Sequence, residues 1–188
     1  MQIPKITIPK KPTYIKVAND IDFFELFKKL ESRFSNCYLF ESLGQKSRSS
    51  RYSVIGFDPA HIIRAKENTL YFDEQAFEVD NPYNALREII PQDIIARRYA
   101  GGLVGYMGYD CINYFEPDIS VKLHDKFDQF MFGVYMDGLV FDTMTNQLFY
   151  FYYIDNRLDL IKEIMKEDVE NGRAYVNFIG NTLTAEEH

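Results

Sequence analysis

Two short stretches hold the side chains best suited to chemistry. Glu41 and Ser42 close the run CYLFES, a polar loop with Lys46 and Arg48 follows, and Arg51, Tyr52 and Ser53 open the run RYSVIGF. A carboxylate, hydroxyls and guanidinium groups therefore meet at one hairpin end. That set suits a zwitterion: an acid for an ammonium, hydroxyls or an arginine for a carboxylate, and an aromatic wall for an apolar side chain. A solvated hairpin loop has the same composition, and the residues alone leave both readings open.

Other chemistries lack a complete residue set. GGLVGYMGYD has four glycines in eight residues, but it matches no phosphate-cradling spacing. It reads as a strand whose glycines allow close backbone approach. There is no nucleophile elbow, dinucleotide fingerprint or zinc helix. His61, His124 and His188 are scattered and no CxxC is present, so no metal site is read. Cys37 and Cys111 lie far apart, which argues for a reducing compartment over a disulfide framework. No Asp/Glu pair stands out as acid and base.

Composition narrows the class. The 188 residues carry 21 basic and 28 acidic side chains, a net charge of −7. That balance, without a Lys/Arg cluster, argues against nucleic acid as a partner. The apolar fraction of 46%, with 14 Tyr and 16 Phe, is too high for a disordered chain. Apolar runs fall short of the ~20 residues of a membrane helix. MQIPKITIPKKP has no apolar signal core. The expectation is a soluble, cytoplasmic protein that contacts no membrane.

The elements that must position the hairpin follow from periodicity. Residues 1–12 read as an extended arm or edge strand, and Tyr14–Val17 as a strand. Phe23, Leu26, Phe27, Leu30 and Phe34 make one apolar helical stripe, with Asp20 as N-cap. From Cys37 the period falls to two. CYLFES, RYSVIGF, HIIRAK, TLYF and AFEV read as strands of an antiparallel meander. Asn81-Pro82 starts a helix. Asp110 caps a short helix through Phe115. Residues 117–129 read as a loop. Phe130–Phe141 and Gln147–Ile154 are long β-prone runs joined by a hairpin at Thr143–Asn146. A last helix spans Asn156–Asn171, stopped by Gly172. The fold class is α+β: a mainly antiparallel β-sheet sandwich with flanking helices. Thr184 and Glu187 form a capping box with no helix after it. That pattern fits either a chance string at a frayed terminus or the front piece of a longer polypeptide.

Two blocks carry a family resemblance. FESLGQKSRSSRYSVIGFDP resembles the leucine-glutamate-serine strand, loop and second strand of anthranilate synthase component I, a chorismate-utilising enzyme. GGLVGYMGYDCINYFEP resembles that family's glycine-rich segment. Phe40 stands where the family usually has Leu, and Ser50 where it often has Gly. The resemblance covers essentially the whole chain and places it at the family's N-terminal region. It implies that residues 1–180 are the regulatory domain and that residues 181–188 begin the connection to a C-terminal catalytic domain. That half would bind chorismate and Mg²⁺, so no catalytic or metal residue is expected in this chain. The implied inhibitor is L-tryptophan, held by Glu41 and Ser42, with Arg51, Tyr52 and Ser53 carried over from the second strand. The implied partners are the chain's own catalytic domain and a glutamine amidotransferase. In the glycine segment, Tyr106 and Tyr109 would fill the domain interface. The alternatives are the corresponding region of aminodeoxychorismate synthase component I, an enzyme of folate synthesis, or a stand-alone amino-acid-binding or scaffold domain.

Overall fold

A computed structural model describes residues 2–18, 20–41, 50–96, 98–116 and 118–168. The chain starts with β1 (Thr13–Val17), α1 (Phe23–Arg33), β2 (Cys37–Phe40) and β3 (Tyr52–Phe57). Next come β4 (His61–Lys66), β5 (Thr69–Phe72), β6 (Gln75–Glu78), α2 (Pro82–Ile89) and β7 (Gly102–Met107). A 3-10 helix (Tyr109–Tyr114) and an irregular stretch lead to β8 (Phe130–Tyr135), β9 (Asp137–Asp142), β10 (Gln147–Tyr152) and α3 (Leu158–Met165). The strands form two five-stranded sheets, ordered β1-β10-β9-β3-β2 and β6-β5-β4-β8-β7. All pairings are antiparallel, as the sequence predicts.

Each sheet buries one face under helices. On the first sheet, Leu26 and Leu30 of α1 and Ile161 and Ile164 of α3 are fully buried against Ile55, Leu139 and Tyr150. Each buried Leu or Ile contributes about 1.5–3 kcal/mol relative to exposure. On the second sheet, Leu86 and Ile89 of α2 and Ile6 of the N-terminal arm pack on Ile63, Leu70 and Phe130. The arm is extended but is not a strand. It is seated by Ile6, whose N–H donates to the Ile89 carbonyl at 2.9 Å. The other face of the first sheet carries Val54, Val140 and Phe151, with Tyr14, Tyr38 and Tyr99 around them. There Tyr38 meets Tyr135 of the second sheet edge-on, with ring centroids 4.7 Å apart. Gly56 makes room for this ring: a Cβ at that position would overlap Tyr38.

Four expectations are corrected. The cap of α1 is Asp22, not Asp20: its Oδ1 accepts from the Phe24 and Glu25 N–H groups, each at 3.0 Å. Phe130–Phe141 is not one strand. It divides at Met136 into β8 and β9, which belong to different sheets. The apolar run is interrupted by Asp137-Gly138, a turn-type dipeptide that marks the break and that the reading as one run passes over. Asp137, buried and multiply bonded, fixes it. Asp110 does not cap the 3-10 helix. It lies inside the helix, and its Oδ2 accepts from the His124 N–H at 3.2 Å. The last helix is shorter than Asn156–Asn171, with Asn156 Oδ1 accepting from the Leu158 N–H at 3.0 Å and Lys166 as its C-cap. Gly172 and the Thr184/Glu187 box lie outside the described residues. Asn81 caps α2 as predicted, accepting from the Asn84 N–H at 3.1 Å.

Candidate functional site

The hairpin end singled out by sequence sits at one edge of the first sheet. β2 pairs with β3 from Cys37↔Phe57 to Phe40↔Val54. Glu41 is the first residue past β2 and is exposed, beside Phe40, which is 53% exposed. Ser42, Lys46 and Arg48 lie outside the described residues. Ser53 is buried and pairs with Phe141 of β9. It shares the two-residue period of Ile55 and Phe57, which face the helices. Tyr52 shares that of Val54 and takes the opposite face. Leu39 packs on the helix-covered core, so the period carries Glu41 toward the same side as Ser53.

Arg51 is held from the neighbouring hairpin. Its Nε and Nη2 donate to Asp142 Oδ2 at 3.1 and 2.7 Å. Asp142 is fully buried, and its Oδ1 accepts from the Met144 and Thr145 N–H groups at 3.1 and 3.3 Å. Those bonds shape the turn between β9 and β10. Thr143 adds its N–H and its hydroxyl to the Arg51 carbonyl, at 2.8 and 2.9 Å. The hydrogen bonds from Arg51 hold the Asp142 carboxyl below the usual carboxylate range despite burial. The guanidinium also lies 5.0 Å from the centre of the Tyr52 ring. Arg51 is thus bound to Asp142, while Glu41 presents its carboxylate to solvent. The sequence reading missed Asp142 and Thr143. An Asp opening a Thr-Met-Thr-Asn turn is the signal that would have found them.

A second concave region lies beside β7. Tyr106, Tyr109, Asp110, His124 and Phe127 border a hollow of about 820 Å³. Tyr109 is 80% exposed and Phe127 59%. Tyr106, Met107, Phe115 and Ile119 add exposed apolar surface to the same stretch of chain. Beneath it, Gly105 lies so close to β8 that a Cβ would overlap the Met131 carbonyl. Among the described residues, no group of three or more His, Cys, Asp or Glu side chains is placed to hold a metal ion. Among them too, no helix is long and apolar enough to cross a membrane.

This pair of helix-backed antiparallel sheets has the fold of a known enzyme class. It matches the crystal structure of anthranilate synthase component I from Streptococcus pneumoniae with a TM-score of 0.50 at 21% identity, over 66% of this chain and 31% of that one. No family model matches the chain. Curated relatives are more specific. The chain is 41% identical to anthranilate synthase component 1 of Leptospira biflexa over 99% of its own length. It is 31% identical to that of Methanothermobacter thermautotrophicus over 98%. It spans 42% and 40% of those relatives. The chain is therefore a homologue of the N-terminal part of anthranilate synthase component 1.

Proposed function

We propose that this chain is the front, regulatory part of an anthranilate-forming enzyme of tryptophan biosynthesis. The observation that carries the reading is the 41% identity over nearly the whole chain to anthranilate synthase component 1. The reaction converts chorismate and ammonia into anthranilate and pyruvate. An amidotransferase partner supplies the ammonia from glutamine, and the setting is the cytoplasm. In this reading chorismate and Mg²⁺ are bound by a catalytic domain outside this chain.

In this reading residues 1–180 contribute control. Glu41 accepts the ammonium group of L-tryptophan, with Ser42, its neighbour in sequence, as the hydroxyl partner, while buried Ser53 supports the hairpin end from β3. Arg51 and Tyr52 hold the second strand in register. The exposed Tyr106, Tyr109 and Phe127 supply the apolar surface on which a catalytic domain docks. Tryptophan favours an arrangement of the two domains that cannot turn over. By linkage, substrate and inhibitor then weaken each other's binding by one common factor.

The test is an assay of the chain alone with chorismate, ammonium and Mg²⁺, alongside a calorimetric titration with L-tryptophan. The expected results are no anthranilate fluorescence and weak tryptophan binding, since half the pocket is contributed elsewhere. Anthranilate formed by the chain alone, or tight tryptophan binding, would overturn the assignment.

A further inference from the structure

Among the described elements, the chain passes between the two sheets twice. It leaves the first sheet after β3, at Asp58, and returns at Met136, between β8 and β9. The second sheet is therefore one excursion, residues 61–135, standing on two feet. The feet are neighbours, because β3 and β9 pair, with Ile55 opposite Leu139. The Ala60 N–H donates to the Val134 carbonyl at 2.8 Å, the end rung of the β4–β8 ladder, where the outgoing chain meets the strand that leads to the returning foot.

One guanidinium reaches both feet. Arg157, at the start of α3, donates from Nε to Asp137 Oδ2 at 2.9 Å and from Nη2 to Asp137 Oδ1 at 2.6 Å. Its Nη1 donates to Asp58 Oδ2. Its guanidinium carbon lies 4.9 Å from the centre of the Phe57 ring, at the end of β3. Tyr150 completes the set. Its hydroxyl donates to Asp137 Oδ2 at 2.8 Å and accepts from the Arg157 N–H at 2.9 Å.

The two arms differ. The Asp137 side chain is 7% exposed and the Asp58 side chain 52%. A forked, buried ion pair excludes water. A single bond to a half-exposed carboxylate exchanges with water and salt. A hollow of about 360 Å³, lined by Asp58, Met136, Asp155 and Arg157 among others, opens beside the clamp and gives water a route to it.

We infer that Arg157 is the positioning residue that sets the second sheet against the first, with Asp137 its permanent anchor and Asp58 its releasable one. Loss of the Asp58 arm frees the outgoing foot while the returning foot stays fixed. The outgoing foot then peels from β8, opening the Ala60–Val134 rung, and the second sheet turns about the returning foot, shifting the Tyr38–Tyr135 ring contact. This device lies apart from the Glu41 hairpin and does not depend on what that hairpin binds.

Amide hydrogen exchange on the full chain tests it, with Asp58→Asn as the variant. Asp58 has φ 49°, a conformation that Asn also tolerates, so the substitution removes the charge without straining the turn. The Ala60 amide is expected to exchange about tenfold faster, the scale of one lost charge-assisted hydrogen bond. The Leu70 and Val140 amides, inside the two sheets, are expected to keep their rates. Raised salt should speed Ala60 exchange in the parent chain and have little further effect in the variant. Asp155→Asn removes an acid from the same hollow and should leave Ala60 unchanged. Equal acceleration through both sheets, no change at Ala60, or the same change in Asp155→Asn would each overturn the inference.

Discussion

Arg51 and Asp142 are joined by two hydrogen bonds to a single carboxylate oxygen, Nε at 3.1 Å and Nη2 at 2.7 Å, and this pair binds the start of β3 to the β9–β10 turn. Its pH dependence follows. The Asp142 carboxyl sits below its ordinary value in the fold, chiefly through the Arg51 bonds. An unfolded aspartate titrates near ~4. The stabilisation is therefore fully present above that value and is lost as pH falls through the lower native one. Asp142→Asn should lower stability at neutral pH and converge with the parent chain in acid. Urea unfolding at neutral and acid pH measures the gap between the two. A gap that did not close in acid would mean that the charge is not what stabilises.

Gly105 is the tightest point of β7. A Cβ there would overlap the Met131 carbonyl, which is backbone and cannot rotate away. Gly105→Ala should destabilise the chain by about 3 kcal/mol, the upper part of the usual range for overpacking. Denaturant unfolding reads this directly. A loss within about 0.5 kcal/mol, as for an ordinary surface change, would show that β7 can move off β8 freely.

The exposed apolar stretch around Tyr109 and Phe127 should make the isolated chain self-associate. Replacing both residues with serine should weaken that association about tenfold, equivalent to about 1.4 kcal/mol. Sedimentation velocity across a concentration series gives the comparison. Unchanged association would place the sticky surface elsewhere.

Both cysteines are protected. Burial pushes the Cys37 thiol and the Cys111 thiol up to about 11. Cys111 also donates to the Gln129 carbonyl at 2.8 Å. At pH 8 a thiol reagent should label the native chain about 100-fold more slowly than the unfolded chain, where the thiols ionise near ~8.5. The neutral thiols contribute stability that is present below ~8.5 and is lost as pH rises toward the native values. Rapid native labelling would mean that the thiols open readily to solvent.

Much of this architecture is legible in the sequence because each strand of the first half is punctuated. Asp58-Pro59, Glu67-Asn68 and Asp73-Glu74 end strands with turn residues, and Asp58, Glu67 and Asp73 take positive φ. The helices announce themselves by their apolar stripes, and Asn81-Pro82 marks the start of α2, but the caps at Asp20 and Asp110 are misplaced because neighbouring acids offer the same local signal. The division of Phe130–Phe141 is legible only in part. The Asp137-Gly138 dipeptide marks the break locally, but the partner that engages Asp137, Arg157, lies twenty residues further on and no local pattern reports that contact. The candidate site was legible as residue types and not as geometry. Glu41 and Ser53 share a hairpin end because β2 and β3 pair, but the engagement of Arg51 by Asp142 is a contact across 91 positions.

We propose that the Glu41 end of β2 and β3 holds L-tryptophan. Titration of the isotopically labelled chain with L-tryptophan, followed by amide chemical shifts, tests it most directly. Saturable shifts centred on Glu41, Tyr52 and Ser53, weak in affinity and abolished by Glu41→Ala, are predicted. Shifts centred elsewhere, or binding indifferent to Glu41→Ala, would contradict the claim.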